Sequence, residues 1–197
     1  MLSSSKIKIL ARPTGDRWLE QALANLDTIL LDHSHCEKKA AGVAINIMFR
    51  YPAYRQLVKQ LTAIAKEELE HLEQVNQWLE RKGIDLAPLN SPPYGSKLKA
   101  QIRHQEPERL LDTLLVSALI EARSHERLGL LGQHCPEPEL ARFYRGLMAS
   151  EARHYGIYWV LATQYCDRHA VDIRLEELSL IESEILSTLY HEPRIHS

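Results

Sequence analysis

Two four-residue words stand out for the chemistry they could do, Glu68-Leu-Glu-His71 and Glu151-Ala-Arg-His154. In a helix, positions i and i+3 share a face, so a glutamate and a histidine at that spacing aim at one point. Each word follows a lone glutamate at nearly the same distance, 31 residues from Glu37 to Glu68 and 30 from Glu121 to Glu151. Six carboxylate and imidazole donors in a duplicated pattern are what a two-metal centre built on four helices requires. Such a donor set suits iron or manganese, and ligand type does not choose between them. The lack of paired thiolates argues against a structural zinc site.

The elements that must position these residues follow from breakers and apolar spacing. A first helical segment runs from Asp16 to Phe49, between Pro13-Thr14-Gly15 and Pro52. A second starts at Pro52, a residue suited to a first helical position, and ends at Lys82 before Gly83. Residues 84–106 hold Pro88, Pro92, Pro93 and Gly95 and read as a long connection with one helical turn around Leu98. A third helix opens at Pro107 and ends before Cys135, a fourth spans Pro138 to Asp167, and a fifth spans Val171 to Tyr190. Short, long and short connections are the rhythm of a ferritin-like fold. The expectation is therefore all-α: one domain over 1–197, with a four-helix bundle at 16–167 and an extra C-terminal helix at 171–190.

The decisive question is which helix face the glutamates occupy. Apolar steps of three and four run Leu19, Leu23, Leu26, Leu30, His33, Glu37, Ala40, Ala44, Ile47 in the first segment. They run Leu57, Leu61, Ile64, Glu68, His71, Val75 in the second, leaving Glu67, Glu70 and Glu73 off the seam. The third reads Leu110, Leu114, Ser117, Glu121, Ser124, Leu128, Leu131, with Glu126 off it, and the fourth reads Leu140, Tyr144, Leu147, Glu151, His154, Tyr158, Leu161. All six candidates fall where a bundle core is expected. Four carboxylates cannot stay there as unpaired anions, because desolvation would protonate them or unfold the protein. Two divalent ions would balance the charge. Metal-free Glu–His hydrogen-bond networks are the alternative.

Other residues carry less. His33 lies one turn before Glu37 and His125 one turn after Glu121, so either could steady a ligand carboxylate. Plain buried histidines would fit as well. Tyr144, Tyr155 and Tyr158 flank the fourth-helix donors and could serve redox chemistry, although aromatic packing also accounts for them. Cys36 reads as packing. A net charge of −2 sets up no global field toward nucleic acid or membrane. The stretch Ala40–Phe49, apolar but for Asn46, is too short to span a bilayer, and Met1–Leu10 lacks a secretory apolar core. Three cysteines without a Cys-x-x-Cys word fit a reduced, cytoplasmic protein.

Longer strings narrow the reading. His35-Cys-Glu-Lys-Lys-Ala-Ala41, Phe49-Arg-Tyr51, Lys66-Glu-Glu-Leu-Glu-His71, Ile120-Glu-Ala-Arg-Ser124 and Ser150-Glu-Ala-Arg-His-Tyr155 closely resemble the bacterial tRNA hydroxylases, over about residues 12–190. That resemblance implies hydroxylation of the isopentenyl side chain of the methylthio-isopentenyl-adenosine beside the anticodon. It implies two iron ions held by Glu37, Glu68, His71, Glu121, Glu151 and His154, with no departure at any of the six. It also implies O2 as co-substrate and an external two-electron donor, such as a ferredoxin/reductase system. On the ligand set alone, a ferroxidase or peroxide-reducing protein of the same fold remains an alternative, as does a metal-free helical interaction module. A rubrerythrin-type protein would add a Cys-x-x-Cys domain, which this chain lacks.

A tRNA substrate needs a footprint. From Lys38 to Lys66 there is no acidic residue, and there are six basic ones. Arg50, Arg55, Lys59 and Lys66 are the candidate RNA contacts, and Tyr51 and Tyr54 beside them could stack on bases. A smaller basic excess lies at Lys97, Lys99 and Arg103. An ordinary solvated helix face would look the same by composition.

Overall fold

Every regular element among the described residues, 7–197 of a computed structural model, is helical. The elements are α1 (Asp16–Leu23), α2 (Leu26–Arg50), α3 (Arg55–Lys82), α4 (Tyr94–Lys99), α5 (Glu108–His134), α6 (Pro138–Tyr165) and α7 (Arg168–Ile185). Local signals set most boundaries. Gly83 closes α3 in the left-handed conformation, φ 66°, behind Arg81 and Lys82 in its last turn. Pro138 opens α6, and the Asp167 carboxylate caps α7 by accepting from the Ala170 N–H.

The first helical segment is not continuous. Asn25 leaves helical geometry, φ −138° and ψ 44°, and separates α1 from α2. The break resets the register: α1 buries Trp18 and Ala22, not the expected Leu19 and Leu23, and the buried seam resumes only at Leu30. The second helix begins at Arg55 and not at Pro52, because residues 51–54 turn the chain, with the Tyr54 N–H on the Tyr51 carbonyl. The last helix stops at Ile185, where the Ser187 hydroxyl donates to the Glu184 carbonyl. The turn expected around Leu98 is α4, with Leu98 fully buried.

Backbone contacts group the chain into two compact units. One comprises residues 24–91 and 193–195 and is built on the α2–α3 hairpin. Within it buried Asp32 on α2 accepts from the Ile195 N–H at 2.7 Å and lies 3.7 Å from Arg194 Nε, which itself donates to the Asn90 carbonyl. The Ser34 hydroxyl donates to the Asn76 side chain and ties α2 to α3.

The other unit holds α1, α4 and the α5–α6 hairpin with α7. Here α5 is covered by α6 on one side and by α1 and α7 on others, so its buried residues lie all around it. Leu110, Leu114, Leu128 and Leu131 fill its seam, each stabilising by about 1.5–3 kcal/mol through removal from water. The opposite face carries a buried ionic network. Arg123 donates to both carboxylate oxygens of Glu182 at 2.8 Å, to Glu126 and to the Arg12 carbonyl. Glu126 also accepts from the Thr14 N–H and hydroxyl. Its position off the apolar seam therefore does not put it in water, because the N-terminal segment and α7 cover that face.

Candidate metal centre

The α2–α3 hairpin brings Glu37, Glu68 and His71 together. All three are buried, and one donor atom of each lies within 4.8 Å of the others. Nδ1 of His71 is 3.6 Å from Oε2 of Glu37 and 3.7 Å from Oε2 of Glu68. Those separations are too long for hydrogen bonds. They suit neighbouring donors on one divalent ion, which ligates nitrogen and oxygen at about 2.0–2.2 Å. The second oxygen of Glu37 lies 2.5 Å from Nε2 of His33, one turn earlier on α2.

The electrostatics of this triad favour positive charge between its carboxylates. Burial alone would raise the carboxyl pKa of Glu37, but His33 and His71 outweigh it and hold it well below the usual range. Burial alone would lower the pKa of His71, yet Glu37 and Glu68 push it up to about 10. A proton on His71 thus supplies the positive charge that the carboxylates demand. A metal ion would supply more charge at the same point and release that proton.

The α5–α6 hairpin repeats the arrangement with Glu121 on α5 and Glu151 and His154 on α6. These too are buried, with one donor atom of each within 4.8 Å of the others. The donor set, two carboxylates and one imidazole per hairpin, fits iron or manganese in each half. Tyr144 and Tyr158 sit one heptad before Glu151 and one turn after His154, both fully buried, and burial pushes the Tyr144 phenol up. Tyr155 is half-buried. His125 takes a backbone partner: its Nδ1 lies 2.8 Å from the Met148 carbonyl, and its ring meets Tyr155 edge-on. It therefore ties α5 to α6 one turn beyond Glu121.

Arg50, Arg55, Lys59 and Lys66 are all exposed on the α2–α3 hairpin. Of the two tyrosines expected to stack on bases, Tyr51 is buried and Tyr54 is 40% exposed. Cys36 lies 3.8 Å from Asp32, and burial and that carboxylate push its thiol up. Sequence spacing did not reveal the Arg123–Glu182 and Asp32–Arg194 contacts, whose partners lie in distant segments. Arg123 does lie in the string Ile120-Glu-Ala-Arg-Ser124, but nothing local points to Glu182.

A family model described as tRNA-(ms2io6A)-hydroxylase (MiaE) matches residues 1–197. A Pseudomonas putida protein named tRNA 2-(methylsulfanyl)-N(6)-isopentenyladenosine(37) hydroxylase is 43% identical over 188 residues, covering 95% of this chain and 91% of that protein. A Salmonella typhimurium protein of the same name is 28% identical over 243 residues, covering 98% and 89%. A solved structure described as protein 43 with aldehyde deformylating oxygenase activity, from Synechococcus, is similar with a TM-score of 0.94. It is 49% identical and covers 97% of this chain and 96% of its own.

Proposed function

The chain belongs to the tRNA-(ms2io6A)-hydroxylase (MiaE) family, and from that premise we propose that it is an O2-dependent di-iron monooxygenase acting on tRNA. Its fold is all-α and ferritin-like. Its substrate is the methylthio-isopentenyl-adenosine at tRNA position 37, and its product carries a hydroxyl on the isopentenyl side chain. We read residues 1–197 as one functional domain, because the family model runs their whole length.

One observation carries the reading beyond the name: each hairpin gathers two buried carboxylates and one buried imidazole. We assign Glu37, Glu68 and His71 from one hairpin, and Glu121, Glu151 and His154 from the other, as the ligands of two irons. The irons, when bound, supply the redox chemistry that activates O2. The reaction balances as C–H plus O2, two electrons and two protons giving C–OH and water. The electrons come from an external donor of the ferredoxin/reductase class.

The chain's own residues do the rest. His33 holds one oxygen of Glu37 and leaves the other toward His71. The leucines and tyrosines of the seams, Leu61, Ile64, Tyr144 and Tyr158, keep water from the donors. Arg50, Arg55, Lys59 and Lys66 provide the phosphate contacts. Among the described residues no helix is long and apolar enough to cross a membrane.

The test is turnover. Iron-loaded protein, reductant, O2 and isopentenylated tRNA should yield a nucleoside with one added oxygen by mass spectrometry, and an unchanged nucleoside would overturn the assignment. The names of both curated relatives favour this reaction over the ferroxidase or peroxide-reducing alternative. A second reading, oxidative deformylation of an aldehyde, rests on the description of the Synechococcus structure. Alkane and formate released from a medium-chain aldehyde under the same conditions would establish it.

A further inference from the structure

Phe49 is 83% exposed at the C-terminal end of α2. It is two residues past buried Ile47, and two residues turn a helix by about 200°, so it stands on the face away from the seam. Ile45, one turn back on the same face, is 38% exposed and continues the apolar stripe. Phe49 and Ile45 thus make a short exposed apolar stripe at the end of α2.

Its surroundings select the partner's chemistry. Arg50 follows it directly, and Arg55 and Lys59 are exposed on the first turns of α3. The Thr62 hydroxyl approaches Met48 Sδ at 3.3 Å, which joins the two helices beside this end of α2. No carboxylate side chain occurs anywhere from Lys38 to Lys66. An exposed ring beside cations, in a segment that carries no carboxylate side chain, complements a strand that offers both base faces and phosphates. Single-stranded nucleic acid is bound in this way, by stacking on aromatics within a basic groove. Tyr51, the other ring on this turn, is buried and packs 6.0 Å from Tyr54, so it cannot present a face to a base.

We propose that Phe49 is a positioning residue on which an unpaired base of the tRNA anticodon loop stacks, while Arg50, Arg55 and Lys59 hold the flanking phosphates. The inference rests on the tRNA hydroxylase reading and deepens it, naming the ring that orients the loop.

The experiment uses the full-length, iron-loaded enzyme and an isopentenylated anticodon stem-loop. Kd is measured over a salt series, KM and kcat are measured by turnover, and melting temperature and sedimentation are recorded for every variant. Phe49→Ala should raise Kd and KM about tenfold and leave kcat at saturating RNA and the melting temperature unchanged. The slope of log Kd against log salt should not move, because a phenyl ring displaces no counterions. Phe49→Trp should bind as the parent does. The Arg55→Gln/Lys59→Gln double variant should instead flatten the salt slope by about 1.5.

An Ala variant with the parent's Kd and KM would overturn the proposal while the hydroxylase reading stood. So would a Phe49→Ala variant that dissociates a parent dimer, since the face would then bind a second copy. Failure of the parent enzyme itself to bind and hydroxylate the stem-loop would overturn the tRNA reading, and Phe49's role with it.

Discussion

Nε2 of His33 lies 2.5 Å from Oε1 of Glu37, four residues apart on one buried helix face. The contact occupies one carboxylate oxygen and leaves Oε2 facing His71 at 3.6 Å. If Glu37 is a metal ligand as proposed, His33 fixes which of its oxygens is free to bind the ion. Replacing it with alanine should weaken iron binding about 10- to 100-fold, the usual cost of losing a partner that orients a ligand. His33→Gln should recover part of that loss, because it keeps a donor within reach. Competition with a chelator measures the affinity, and an unchanged value in His33→Ala would end the positioning role.

Removal of the imidazole ligands should separate a metal enzyme from a metal-free helical module. The parent should hold about two irons per chain. His71→Gln and His154→Gln should each lower that content, and the double variant should bind none while keeping its helical circular dichroism. Iron should also raise the parent's melting temperature, because it binds the folded state, and should not raise that of the double variant. A parent whose melting temperature and metal content ignore added iron would sink the di-iron assignment.

The burial of the six candidate residues was readable in the sequence because each lies on an apolar seam of an amphipathic helix. Glu68 and His71 interrupt an otherwise apolar seam in α3, and Glu67, Glu70 and Glu73 fall outside it; the structure buries the first two and leaves Glu70 and Glu73 exposed. The same logic failed before Leu30, since no periodicity foretells the non-helical geometry of Asn25. It was also mute on α5, which is covered on more than one side, so that Arg123 and Glu126 off the seam are buried as Glu121 on it is. Pairings such as Arg123–Glu182 join residues 59 apart and leave no local trace. The exposure of Phe49 was hidden for a related reason: apolar residues are expected to be inside.

Asp112 on α5 gives the fold a definite acid response. It is fully buried and accepts from Arg103 at 2.8 Å and from Arg174 of α7 at 2.9 Å. Burial alone would raise its pKa, but the two guanidinium groups outweigh this and hold it below the ordinary value. A depressed folded pKa stabilises the protein fully above the unfolded value, about 3.9, and the contribution is lost as pH falls through the folded value. The parent should therefore hold a level contribution from Asp112 above about pH 5 and lose it below the ordinary carboxylate range. Asp112→Asn should cost about 2–3 kcal/mol at neutral pH, with the gap to the parent narrowing in acid. Urea midpoints at pH 7 and pH 3 measure this, and an equal gap at both would refute it.

The spacing of α5 and α6 depends on a missing side chain. A Cβ on Gly132 would meet Cγ of Arg145 at 2.6 Å and its backbone nitrogen at 3.1 Å, and the Arg145 guanidinium donates to the Gly132 carbonyl. Gly132→Ala must push the two helices apart or bend one, at about 1–3 kcal/mol. Glu121 rides on α5, and Glu151 and His154 ride on α6, so the same displacement spreads their donors. Iron affinity should fall together with stability. Gly146, also in α6, has nothing within 4 Å of its would-be Cβ. Gly146→Ala should be neutral or stabilise by up to about 1 kcal/mol, from helix propensity, with iron binding intact. Melting curves and chelator competition on the two variants make the comparison. Loss of iron affinity in Gly146→Ala, or its retention in a destabilised Gly132→Ala, would show that helix spacing does not set the donors.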